Sequence, residues 1–202
     1  MAEALPLQKP LPLNAMGART TAWWGLWTLI LTEGSLFGYL LLTYFYLFFQ
    51  KHTAWPPDGP PDLVMPGINT VILLSSSVWV WLGEICIKRN RLKLALVPMA
   101  ASIVFGAIFV GIQFREYADK PYQWDSHLYG SLFFTITGLH MMHVLVGLVV
   151  LTMLWIWTAM GYFNKEKYTA VTLGGLYWHF VDAVWIFVFS SLYLSPYVLG
   201  TK

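Results

Sequence analysis

The sequence predicts an all-α integral membrane protein, built as a bundle of five transmembrane helices. Of its 202 residues, 57% are hydrophobic and only 11% are charged, whereas soluble domains carry about 25% charged residues. So few charges cannot cover a water-exposed surface, so we expect lipid to cover much of it. Five stretches are also long and apolar enough to cross a bilayer, which takes roughly 20 residues in a helix.

The predicted helices are separated by polar connections. Helix 1, residues 23–49, follows a polar segment, 1–22, that lacks the apolar centre of a cleaved signal peptide. Helix 2, 68–87, follows a loop with five prolines, and helix 3, 94–114, starts after a basic turn. Helices 4 and 5 cover 128–157 and 171–194, which completes a transmembrane domain, 23–196, before a tail, 197–202. Pro98 is expected in the first turn of helix 3, where a proline costs least.

The distribution of basic residues predicts a cytoplasmic N-terminus and an external C-terminus. Eight of the 12 lysines and arginines fall on the side of the N-terminus and four fall on the other side, and basic residues favour the cytoplasm. The eight are Lys9, Arg19, Lys88, Arg89, Arg91, Lys93, Lys165 and Lys167. Small residues within the helices are expected to let neighbouring helices pack closely; they are Gly34, Gly38, Ala107, Gly111, Gly138, Gly147, Gly174 and Gly175.

Ionisable residues inside the predicted spans are the candidate functional residues. A charge at mid-bilayer costs about 2.5–3.5 kcal/mol or more, so Glu33 on helix 1 has either a structural or a proton-linked role. His140 and His143 share one face of helix 4, and His179 and Asp182 share one face of helix 5. We expect a buried polar cluster in which Asp182 hydrogen-bonds His179.

Other kinds of site gain little support from the residues. A single cysteine excludes a four-thiolate metal site, and no nucleophile–base arrangement or nucleotide-binding loop is visible. We therefore predict no catalytic residue, no metal ligand, no nucleic-acid partner and no directly bound small-molecule substrate. A haem held between His140 and His179 stays open, as does a proton-conducting channel, although no internal repeat favours a transporter.

Several motifs resemble one membrane-protein family over residues 23–194. They are YWHFVDAVW at 177–185, YGSLFF at 129–134, TGLHMMHV at 137–144, WPPDG at 55–59, and Thr32-Glu33 followed by Phe37. Together they resemble subunit III of the haem-copper terminal oxidases. The match is to the five-helix bacterial form, because the first two helices of longer members are absent. Thr172 also stands where the longer members carry a glutamate.

The resemblance implies a supporting subunit in the bacterial cytoplasmic membrane. Such a subunit has no redox centre or cofactor of its own and packs on subunit I, which holds the haems and copper, in a complex with subunit II. It supports proton uptake and stable turnover, and Glu33 matches the family's proton-linked carboxylate. The motif residues Trp55, Trp178 and Trp185 are candidate lipid or partner contacts, and phospholipid is a candidate ligand. A haem-anchoring subunit and the related accessory protein of nitric oxide reductases remain alternatives.

Overall fold

The structure is a computed structural model that describes residues 21–50, 55–57, 59–164 and 167–199. Regular structure in these ranges is entirely helical. The helices are α1 (Thr21–Gln50), α2 (Val64–Lys88), α3 (Leu92–Asp119), α4 (Leu128–Ala159), α5 (Thr169–Phe189) and α6 (Ser195–Leu199), with a π-helical turn (Ser190–Leu194) between the last two. Residues 1–20 of the predicted N-terminal segment and residues 200–202 of the predicted tail lie outside the described ranges.

Five of these helical segments are long and apolar enough to cross a membrane, the last running from α5 through α6. The protein is therefore a multi-pass membrane protein with the predicted all-α fold. Both α2 and α3 extend beyond their predicted bounds. Pro98 consequently lies inside α3 and not in its first turn, because α3 begins at Leu92. The proline ring is buried against the bundle.

Two helices end in the same hydrogen-bonded cap. At the end of α2, Asn90 adopts a positive φ of 57°, and the Arg91 N–H donates to the Cys86 carbonyl over 2.8 Å. At the end of α4, Gly161 has a φ of 79°, and the Tyr162 N–H donates to the Trp157 carbonyl over 3.0 Å. This cap satisfies carbonyls that a helix end leaves without partners. The cap after α2 makes the α2–α3 hairpin tight.

The helix α5 lies at the centre of the bundle and packs against α1, α2 and α4. In the segment from α5 through α6, 56% of the most apolar stretch is buried inside the chain, against 6% for α1. Helix α1 therefore lies at the edge and touches only α4 and the central helix extensively. Most of its surface is left for lipid or another protein.

Glycines make room for Trp178 in the middle of the bundle. A Cβ atom at Gly106 on α3 would lie 2.8 Å from Trp178, and one at Gly147 on α4 would lie 2.7 Å from it. The indole is fully buried between these helices, and its Nε1 donates to Ser76 Oγ on α2 over 2.8 Å. One side chain of α5 thus contacts three other helices.

Not all small residues serve packing within the chain. A Cβ atom at Gly38, Gly111 or Gly138 would have no heavy atom within 4 Å outside its own helix region, and at Gly34 it would make only an ordinary contact of 3.8 Å with Phe180. The expectation of close intrachain approach is wrong at Gly38, Gly111 and Gly138, because no other helix of the chain reaches them.

Candidate functional site

Glu33 and His143 meet between α1 and α4. Glu33 Oε2 lies 3.2 Å from His143 Nε2, and the side chains are 29% and 11% exposed. The other ring nitrogen, Nδ1, lies 2.7 Å from the Leu139 carbonyl oxygen. The Phe37 ring packs edge-on against the imidazole at 5.2 Å. The sequence indicates no basic neighbour for Glu33 on its own helix, and the partner comes from α4.

The hydrogen bonds of His143 fix how many protons the pair shares. A carbonyl oxygen only accepts, so Nδ1 must carry the hydrogen that it donates to Leu139. Nε2 then either accepts the proton of a neutral Glu33 or donates its own proton to the carboxylate. In both cases the two side chains share one proton across a 3.2 Å contact. The arrangement can therefore hold a proton and pass it between an acid and a base.

A second polar cluster joins α2 to α5 and corrects one expectation. Asp182 does not bind His179 directly. Instead the Ser77 hydroxyl donates to Asp182 Oδ2 and accepts from His179 Nδ1, which lies 2.8 Å away. Asp182 is only 3% exposed, and its Oδ1 has no hydrogen-bond partner among the described residues. The sequence analysis missed Ser77 because it lies on a different helix and no local spacing links it to helix 5.

His140 is separated from the other histidines. Its Nε2 donates to the Val181 carbonyl over 3.2 Å. Its ring is enclosed by aromatic rings, with centroid distances of 6.4 Å to Phe37, 5.9 Å to Phe109 and 4.7 Å to Trp185. His179 instead faces Ser77 on α2. The two histidines do not face a shared space, so this geometry argues against a haem held between them.

Glu84 joins α2 to α5 at the end where α5 begins. Its Oε1 accepts from Thr172 Oγ1 and from Lys88 Nζ, each at 2.7 Å, and the carboxylate side chain is 13% exposed. The Lys88 ammonium lies 5.5 Å from the Tyr168 ring centre. Thr172 on α5 is therefore hydrogen-bonded to a carboxylate that α2 supplies.

Glu116 pairs with Lys120, one turn further along the chain, and not with the adjacent Arg115. Its Oε1 accepts from Lys120 Nζ and from the Tyr193 hydroxyl, each at 2.9 Å. Its Oε2 accepts from Gln113 Nε2 at 3.2 Å. The contact with Tyr193 ties the end of α3 to the π-helical turn.

The side chains of the three candidate tryptophans are buried within the chain, which leaves little of their surface for lipid or a partner. Trp55 is 6% exposed, and Trp178 and Trp185 are 0% exposed. Trp55 packs on Tyr44 and Tyr129, with ring centroids 5.8 Å and 5.4 Å away. The indole N–H of Trp185 donates to Thr70 Oγ1 over 2.9 Å. These motif residues instead hold the helices of this chain together.

These features define a class of protein. The chain is a membrane helix bundle whose interior acids and histidines are hydrogen-bonded from one helix to another. Among the described residues, no group of three or more His, Cys, Asp or Glu side chains could hold a metal ion. The arrangement is that of a multi-pass membrane protein with an acid–histidine pair between its edge helix and α4.

Comparison with known proteins identifies the family. The sequence model of cytochrome c oxidase subunit III matches residues 14–197. Cytochrome c oxidase subunit 3 of Thermostichus vulcanus is 35% identical over 84% of this chain and 85% of that protein. The Synechocystis and Arabidopsis thaliana subunits are 34% and 35% identical over 76% and 74% of this chain, which spans 67% and 61% of their lengths. The chain belongs to the cytochrome c oxidase subunit III family, and its role is that of a subunit III in a haem-copper oxidase.

Proposed function

We propose that the chain is the non-catalytic subunit III of a respiratory terminal oxidase in a bacterial cytoplasmic membrane. It packs on subunit I in a complex that includes subunit II, and it supports proton uptake and stable turnover during oxygen reduction and proton pumping. The haems and copper belong to subunit I, and the name of the relatives points to cytochrome c as the electron donor. The membership in the family supports this role.

The Glu33–His143 contact is the observation that carries the proton-linked part of the proposal. The pair holds one proton when neutral overall, in either of two arrangements that differ only in which atom carries it. It becomes positive on gaining a proton and negative on losing one. The pair carries its one proton without a net charge, because a carboxylate and an imidazolium balance each other when the proton lies on the histidine.

The location of the pair supports exchange of that proton with another subunit. Glu33 is 29% exposed although it lies in a membrane helix, and α1 is the least buried helix of the bundle. A proton on Glu33 is therefore close to the surface that a partner can cover. The Ser77–Asp182 contact is more enclosed, since Asp182 is 3% exposed. We assign the proton-linked role to Glu33 and a structural role to Asp182.

The test is turnover of the purified complex containing Glu33→Gln. Glutamine keeps the size and one acceptor of the side chain but cannot exchange a proton, so we expect normal haem content with slower proton-coupled turnover and earlier inactivation. His143→Gln should act in the same direction because it removes the proton acceptor. Ser35→Ala is the control, since Ser35 is exposed on the same helix and its hydroxyl donates to the Leu31 carbonyl of that helix. Activity that lasts as long in Glu33→Gln as in the control would refute the proton-linked role.

A further inference from the structure

A pocket of about 370 Å³ lies at the end of the bundle where α3 ends and α2 and α4 begin. Its walls come from the proline-rich segment between α1 and α2, from the last turns of α3, and from the first turn of α4. The volume falls within the range of sites that bind small molecules or headgroups. None of the interior pairs Glu33–His143 and Ser77–Asp182 lines this pocket, so the pocket is separate from the proposed proton-linked site.

Among the residues that the structure describes, five charged side chains line the pocket, and they differ in how strongly they are already paired. Lys120 and Glu116 form a close ion pair at 2.9 Å and are 12% and 9% exposed. Arg115 and Asp119 are 3.7 Å apart and are 74% and 72% exposed. Such an exposed, long contact contributes little, so its two partners are free to bind other groups. Asp62 is the remaining charged residue of the lining.

The loosely held charges have a mixed sign. With Lys120 and Glu116 neutralising each other, the described lining offers the Arg115 guanidinium and the carboxylates of Asp62 and Asp119, a formal charge of −1. Asp62 Oδ1 also accepts from the Val64 N–H over 3.1 Å. A guanidinium binds phosphate well because its donors match the phosphate oxygens. Two nearby carboxylates repel a purely anionic ligand but attract an ammonium group. The lining therefore favours a ligand that carries a phosphate and an ammonium together.

The position of the pocket relative to the membrane suggests where such a ligand comes from. The pocket lies at helix ends, where lipid headgroups meet the ends of membrane-spanning helices. Large apolar side chains continue from it along the outer surface of α2, where Val64, Met65 and Ile68 are 66%, 47% and 51% exposed. Acyl chains can lie against this surface while the headgroup occupies the pocket.

We propose that this pocket binds the headgroup of a phospholipid with a primary ammonium, of the phosphatidylethanolamine class. Arg115 binds the phosphate, Asp62 and Asp119 bind the ammonium, and the acyl chains follow Met65 and Ile68. The primary ammonium matters because its N–H groups donate hydrogen bonds to the carboxylates. A choline headgroup carries the same charge but has no N–H to donate.

The test uses the purified oxidase complex, stripped of loosely bound lipid and supplied in turn with phosphatidylethanolamine, phosphatidylcholine or phosphatidylglycerol. Native mass spectrometry counts the lipid that stays bound. We expect the wild type to retain phosphatidylethanolamine about tenfold better than the other two lipids. The Asp62→Asn/Asp119→Asn double variant should lose this preference over phosphatidylglycerol, and Arg115→Gln should bind all three poorly. Arg89→Gln, exposed at the opposite end of the bundle, is the matched control and should behave as the wild type.

The outcomes separate the proposal from its competitors. Equal retention of phosphatidylglycerol and phosphatidylethanolamine by the wild type would overturn it, because the carboxylates would then have no role. Equal phosphatidylethanolamine retention by Arg115→Gln and Arg89→Gln would also overturn it, as expected if a segment of another subunit fills the pocket. All the substituted side chains lie at helix ends or in the loop, and matching thermal stability of the variants excludes a general folding defect. The test measures lipid retention and does not depend on the turnover of Glu33→Gln, so the lipid site and the proton-linked role can be refuted separately.

Discussion

The close approach of α4 to Trp178 makes Gly147→Ala a sensitive test of the packing. The added Cβ would lie 2.7 Å from Trp178 Cε3 and 2.9 Å from Cζ3, whereas carbon atoms in contact prefer about 3.5–4.0 Å. The indole cannot move away easily, because Gly106 approaches its other edge and a Cβ there would lie 2.8 Å from Cη2. The methyl group therefore forces a shift of α4 or a strained Trp178 rotamer.

The magnitude follows from two opposing effects. Overpacking of this kind costs about 1–3 kcal/mol, and replacing glycine by alanine within a helix returns about 1 kcal/mol. We expect a net loss of up to about 2 kcal/mol in the free energy of unfolding, which for a chain of this size lowers Tm by up to about 8 °C. Gly111→Ala is the matched control, because nothing lies within 4 Å of its added Cβ. Its Tm should stay the same or rise.

The assay is thermal unfolding of the purified chain in mild detergent, followed by tryptophan fluorescence and by helical circular dichroism. Both probes should report the same order of variants, with Gly147→Ala below the wild type and Gly111→Ala at or above it. Gly106→Ala should resemble Gly147→Ala, because it meets the same indole from α3. Equal Tm values for the variants at positions 147 and 111 would show that Trp178 is not confined in this way.

Two further predictions concern hydrogen bonds between α2 and α5. Asp182→Leu should lower Tm more than Asp182→Asn, because asparagine keeps an acceptor for the Ser77 hydroxyl and an unsatisfied buried donor costs about 1–3 kcal/mol; equal Tm values in detergent would contradict this. Thr172→Val should lower Tm by a few degrees, because Glu84 loses a charge-assisted hydrogen bond of 2.7 Å. Thr152→Val is its control, since Thr152 binds only the carbonyl of its own helix, and a similar shift in both variants would show that the contact between helices contributes nothing.

The number and order of the helices could be predicted from the sequence, because a membrane span has a simple signature of length and apolar composition. The residues with polar chemistry could be found as well, since each charge inside a span stands out against apolar neighbours. Their partners could not be found. Ser77 and His143 contact residues more than 100 positions away in the chain, and spacing along one helix carries no information about which face of another helix it meets.

The tryptophans show a second limit of prediction from the sequence. Their place in recognisable motifs made Trp178 and Trp185 candidates for contacts with lipid or a partner, yet both are fully buried. A motif does not say whether its residues pack inside the chain or bind lipid or a partner. Gly106 and Gly147, on neighbouring helices, leave the space that Trp178 fills. Such a pair of small residues is the sequence feature that agrees with a buried tryptophan.

The sparse attachment of α1 has a consequence for the life of the newly made chain. Besides Glu33–His143, its described links to the rest of the bundle include the 3.2 Å contact between Tyr44 and Ser195 and the ring contacts around Tyr44. With so few links, α1 can separate from the other helices at a lower cost than any other span. Another subunit docked along α1 would bury its outer face and raise that cost, so assembly would stabilise the chain most at this helix.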